Sequence, residues 1–99
     1  MSRLQPDNRK SLIMEAALKV AGEPGGFSTL TREKVAREAD CSEGLVSRYY
    51  GTMPQFKRKI MRKAIELREL GIIAEGIATG NTYALSAPEE LRREALETL

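Results

Sequence analysis

The chain has 99 residues, 41% hydrophobic and 30% charged with a net charge of +2, a composition that suits one small folded domain. No apolar run approaches the ~18 residues of a membrane span, and the polar start MSRLQPDNRK leads into no signal-peptide pattern. One cysteine, Cys41, excludes an internal disulfide and fits a reducing cytoplasm, and the lack of histidine removes the usual general base and the commonest metal ligand.

No strand pattern, internal repeat or low-complexity tract is present, and the spacing predicts an all-α chain of five helices. The first covers residues 8–21. Asp7 or Asn8 caps it, and Ile13, Ala16, Ala17, Val20 and Ala21 share its inner face. Gly22 ends it in the left-handed conformation, and Gly22-Glu23-Pro24-Gly25-Gly26 is a loop anchored by Phe27. Thr31 caps the second helix, whose inner face is Val35, Ala36 and Ala39. Asp40-Cys41-Ser42 is a tight turn. Ser42 caps a third helix, 43–50, which Gly51 stops. Thr52 and Gln55 have capping-box spacing, with Pro54 in the first turn of the fourth helix. Phe56, Ile60, Ala64, Leu67 and Leu70 or Gly71 continue at helical spacing, so this helix is expected to run to about residue 78. Ala78-Thr79-Gly80-Asn81 breaks it. Ser86-Ala87-Pro88-Glu89 reads as a second capping box opening a last helix to about residue 98.

Residues 31–50 carry the function. Two short helices joined by a tight turn form the layout of a helix-turn-helix, which places its second helix in the DNA major groove. Ala36 is small enough for the helices to cross closely. Asp40 tolerates the left-handed turn, Cys41 follows as a small buried residue, and Val46 points back into the core. The outward positions are then Ser42, Glu43, Gly44, Leu45, Ser47 and Arg48, with Tyr49 near the rim and Tyr50 in the core with its hydroxyl at the edge. Arg48 suits a bidentate contact to guanine or a phosphate contact, the two serines suit phosphate or base edges, and Leu45 suits a thymine methyl. Gly44 clears space against the duplex. Glu43 repels phosphate unless it accepts from a cytosine amine or pairs with a cation. Charge is also lopsided: residues 1–70 hold 14 Lys/Arg against 9 Asp/Glu, and residues 71–99 hold 2 against 5. A polyanion partner on one side is the reading this suggests. Each feature has a plainer reading too. The segment could be a helical hairpin, Arg48 a solvated residue, and Lys57-Arg58-Lys59 with Arg62-Lys63 a solvated face.

From about residue 9 to 70 the chain resembles the DNA-binding head of the TetR family of bacterial repressors. LIMEAALKVA (12–21) is similar to the family's first helix, and Gly26-Phe27 to its Gly-aromatic loop. Thr31–Ser42 is similar to its Thr-x-x-x-Ile/Val-Ala-x-x-Ala-Gly-Val-Ser stretch, with Asp40 and Cys41 in place of Gly-Val. Glu43–Tyr50 is similar to its Lys-Gly-x-Leu/Ile-Tyr-x-Tyr/His-Phe run. The resemblance implies that Thr31 and Arg32 face phosphates and that Gly44, Ser47, Arg48 and Tyr49 lie at the DNA. Three positions depart from it. Ser47 stands where the family has tyrosine, Tyr50 where it has phenylalanine, and Met53 where it has a phosphate-binding lysine; Lys57 and Lys10 are candidates to compensate.

The family continues into a long effector-binding and dimerisation domain, whereas fewer than thirty residues follow position 70 here. They are too few to enclose a drug-sized pocket of ~300–1,000 Å³. The expected organisation is a head at 1–53 and a connector and dimerisation tail at 54–99. Ile72, Ile73, Ile77, Leu85, Leu91, Ala95 and Leu96 are expected to exceed what two short helices can hide, and so to pack on a second copy with two-fold symmetry. The functional expectation is a homodimeric repressor binding double-stranded DNA at a palindromic operator, with no cofactor, metal, membrane contact, small-molecule effector or enzymatic activity. The alternative is a helical dimer that binds another regulator, for which Glu43 and the departures at 47 and 53 speak.

Overall fold

The computed structural model describes residues 6–99, with side chains from residue 8 onward. The polar first five residues lie outside it. The only regular secondary structure among the described residues is helical, in seven helices rather than five: α1 (Pro6–Ala21), α2 (Arg32–Ala39), α3 (Glu43–Tyr50), α4 (Met53–Leu67), α5 (Leu70–Ala78), α6 (Thr82–Leu85) and α7 (Glu89–Leu96). α1 packs on α2 and α4, α3 on α2 and α4, and α5 on α4, α6 and α7. None of these helices is long and apolar enough to cross a membrane.

α1 buries the expected stripe of Ile13, Ala16, Ala17, Val20 and Ala21. Its start at Pro6 makes Asn8 an interior residue and not a cap; the side chain of Asp7 lies outside the described ones. Gly22 does not adopt the left-handed conformation. Its N–H donates to the Leu18 carbonyl at 2.9 Å, and the left-handed residue of the loop is Gly25, at φ 73°. Two short helices joined by a tight turn form within residues 31–50. The Thr31 hydroxyl accepts from Lys34 N–H at 3.1 Å, and the Ser42 hydroxyl from Leu45 N–H at 3.1 Å. Between them Asp40 sits at φ 56°, ψ 51°, and Cys41 N–H closes back on the Ala36 carbonyl at 2.9 Å. That is a Schellman stop, built on an aspartate where glycine is usual. α4 opens with the complete Thr52/Gln55 capping box.

The long fourth helix does not run to residue 78. It stops at Arg68, which is left-handed at φ 57°, ψ 46°, with Glu69 N–H closing on the Ala64 carbonyl at 2.8 Å. Packing explains the stop. In an unbroken helix Ile72 would lie about 120° around from Ile60, at the edge of the buried stripe beside Met61, and Ile73 about 220° around, off it. The break turns both inward, to 1% and 0% exposure, and leaves Leu67 half exposed instead of on the inner face. The last capping box does not form either. Ser86 is the C-cap of α6, its N–H bonded to the Thr82 and Tyr83 carbonyls, so α7 starts after Pro88 with no side-chain cap and ends at Leu96.

The tail corrects one further expectation. Ile72, Ile73, Leu91 and Ala95 are buried inside this chain, in one core continuous from Ile13 to Ala95, and need no second copy to hide them. The short α6 makes this possible, because it packs on both α4 and α5. Gly76 lets α5 approach closely: a Cβ there would collide with the Met61 methyl and stand 2.8 Å from the Ala84 Cβ. Of the expected seam residues, Leu85 and Leu96 are exposed and Ile77 is half-buried.

Candidate nucleic-acid interface

α3 is mounted by two buried side chains, Val46 at 1% and Tyr50 at 5% exposure, against the small Ala36 of α2. Tyr50 is the deeper anchor. Its ring stacks on Phe56 of α4 at 4.7 Å, and its hydroxyl donates to the Lys10 carbonyl of α1 at 2.7 Å. One residue thus ties together α1, α3 and α4. Burial pushes the Tyr50 phenol above its ordinary pKa, so it stays a neutral donor near pH 7.

With that side fixed, Ser42, Glu43, Gly44 and Arg48 are exposed. Arg48 and Glu43 take part in no hydrogen bond or ion pair among the described residues. The outward set is narrower than the spacing suggested. Leu45 and Tyr49 are half-buried and pack against the core, and Ser47 is half-buried. Gly44 has open space, its hypothetical Cβ meeting only the Ser42 hydroxyl at 3.9 Å, so glycine is not required here by the chain itself. Cys41 is half-buried rather than sealed in, and burial raises its thiol above the ordinary pKa, which disfavours the reactive thiolate.

At the start of α2, Thr31 is exposed. Its hydroxyl oxygen is occupied as the cap, which leaves its proton free to donate outward. Arg32 is half-buried, and its Nε is a buried donor with no partner among the described residues. Lys57, a candidate to compensate for Met53, reaches the loop before α2. Its Nζ lies 5.1 Å from the centre of the Phe27 ring and 3.5 Å from the Ser28 carbonyl. The same loop is held from the tail, where the Glu75 carboxylate accepts from Ser28 N–H at 2.6 Å and Phe27 N–H at 3.3 Å. The sequence reading missed that contact, since nothing in the spacing links residues 47 and 48 positions apart.

A groove of about 340 Å³ runs between the start of α1 and the α2–α3 turn, lined among others by Arg9, Leu12, Cys41, Ser42 and Leu45. It brings Arg9 beside the start of α3. No group of three or more His, Cys, Asp or Glu side chains among the described residues could hold a metal ion. No family model, curated protein or solved structure matches the chain. The likeness to the TetR head therefore rests on the residue pattern of 9–70 alone.

Proposed function

We propose that the chain is a sequence-specific DNA-binding transcriptional regulator with a TetR-like head, acting in the cytoplasm as a homodimeric repressor on a palindromic operator without a small-molecule effector. One observation carries the reading. α3 presents Ser42, Glu43, Gly44 and Arg48 to solvent while Val46 and Tyr50 root it in the core. An exposed, rigidly mounted helix with an unpartnered arginine and a hydroxyl at its start is what major-groove reading requires. Thr31 and the half-buried Arg32 supply phosphate contacts from α2, and Ser47 and Tyr49 contribute at the edge of α3. Two copies would set their α3 helices ~34–36 Å apart on the duplex. In this reading the two-fold contact falls to Ile77, Leu85 and Leu96, the expected seam residues not sealed in the monomer core.

The test is selection of bound fragments from random DNA, then a gel shift of the winners at two salt concentrations, with the oligomeric state read by sedimentation. The expected result is a symmetric site, affinity that falls steeply with salt, and two chains per site. Failure to enrich any sequence would overturn the proposal. Glu43 favours a second reading, a helical dimer that docks on another regulator through α3. An exposed carboxylate without a cation partner suits a basic protein surface better than a phosphate backbone. Enrichment of no DNA, with binding to such a protein lost in Glu43→Lys, would establish it.

A further inference from the structure

The described cations of this chain differ in how they are satisfied, and Lys34, Lys57 and Arg92 bond to backbone carbonyls. Lys19, Arg37, Lys63, Arg68 and Arg93 are each paired with a glutamate. Arg9, Lys10, Arg32, Arg48, Arg58, Lys59 and Arg62 have no carboxylate or side-chain hydrogen-bond partner among the described residues, and four of these, Arg9, Lys10, Arg48 and Lys59, stand about α3. Two of them converge. The Lys10 Nζ of α1 lies 5.6 Å and the Lys59 Nζ of α4 lies 5.7 Å from the centre of the same Tyr50 ring. Phe56 stacks on the same ring at 4.7 Å, which holds the platform in the core. Both lysines are exposed. A ring face attracts an ammonium group weakly and holds it in place without neutralising it. Glu15, the nearest acidic residue along α1 after Lys10, forms no ion pair with either lysine, and Glu66 of α4 is taken by Lys63. The result is two like charges beside one aromatic platform, with no counter-ion among the described side chains, at the end of the helix assigned to the major groove.

We infer that Lys10 and Lys59 take neighbouring phosphates of one DNA strand, so that Tyr50 orients a backbone clamp on the flank of α3. This rests on the DNA-binding reading above and adds to it a contact made from α1 and from the second turn of α4. A strand beside an occupied major groove presents phosphates in a row, and two anions relieve two cations where one carboxylate could not. The residues that fix the platform lie in the core, so neutralising either lysine leaves Tyr50, its stack and its bond to the Lys10 carbonyl in place.

The experiment measures the affinity of the full chain for a random-sequence duplex of about 30 base pairs over a range of salt, for wild type, Lys10→Gln, Lys59→Gln and the double variant. The expected change in the slope of log K against log salt is a loss of about 0.9 per bound chain in each single variant and about 1.8 per bound chain in the double, twice those figures for a bound homodimer. Lys19→Gln/Arg93→Gln removes the same charge from paired sites and is expected to keep the wild-type slope. If wild type binds but the lysine double keeps its slope, or the control loses as much, the clamp is overturned and the DNA reading stands. If wild type itself shows no salt-dependent binding, the DNA reading falls and the clamp with it.

Discussion

Asp40 and Arg68 both carry a side chain where the backbone turns left-handed, and each closes its helix with the same pair of backbone bonds. A left-handed conformation costs an L residue about 1–2 kcal/mol relative to glycine, and less for aspartate. Arg68→Gly is therefore expected to raise stability by about 1 kcal/mol in urea unfolding, and Asp40→Gly by a smaller amount. The Arg68–Glu94 ion pair that the first variant loses is well exposed and offsets little of this. Tyr50 gives a prediction in pH. Its folded pKa is raised, so its contribution is fully present below the unfolded pKa of about 10 and lost as pH climbs through the folded value. Stability should fall on the alkaline side, and Tyr50→Phe should flatten that fall. At pH 7 the variant is expected to cost about 0.5–1.5 kcal/mol through the lost bond to the Lys10 carbonyl. A Tyr50→Phe protein with an unchanged alkaline limb would show that another group drives it.

α3 is short, and what it offers outward depends on which side chains its mount consumes. Val46 and Tyr50 are consumed, Leu45 and Tyr49 partly so, and Arg48 is left as the one cation on the exposed face of the helix. Arg48→Ala is expected to cost about 1–3 kcal/mol in operator binding and to relax base preference at one position per half-site, read by repeating the selection with the variant. A uniform loss across all sequences would move Arg48 from base to phosphate. The elements around this site were legible because local chemistry decides them. Thr31, Ser42, Thr52 and Gln55 cap by bonds that span three residues, and those bonds form. The tail was less legible because non-local packing decides it. Arg68 carries no turn signal, and the stop there accompanies the burial of Ile72 and Ile73 in a core that Met61 and Ala84 also line. Ser86 had the right offset to Glu89 but was claimed by α6, a four-residue helix too short for periodicity to reveal. The contact of Lys57 was not legible for the same reason. Its target, the Phe27–Ser28 loop, is close in space and far in sequence.

Head and tail share one continuous core, and Glu75 and Lys57 add polar contacts that cross between them. From α5 its carboxylate holds two backbone N–H groups of the loop that leads into α2, while Lys57 of α4 grips the Ser28 carbonyl of the same loop. The loop is thus pinned from two tail-side elements just before the helix whose start carries Thr31 and Arg32. Hydrogen bonds to a charged acceptor contribute about 1.5–3 kcal/mol, and this site is only partly buried, so the lower end applies. Glu75→Gln keeps the shape and one acceptor but loses the charge, and is expected to cost about 1 kcal/mol. Glu75→Ala leaves both N–H groups to water and is expected to cost about 1.5–2 kcal/mol. Hydrogen exchange separates local from global effects. Because the carboxylate acts on the loop, the Phe27 and Ser28 amides should exchange faster by more than the loss in global stability accounts for, while the amides of Ile60 and Ala64 follow that loss alone. If the loop amides and the α4 amides speed up by the same factor, Glu75 acts on the whole fold and the loop has no separate tether to the tail.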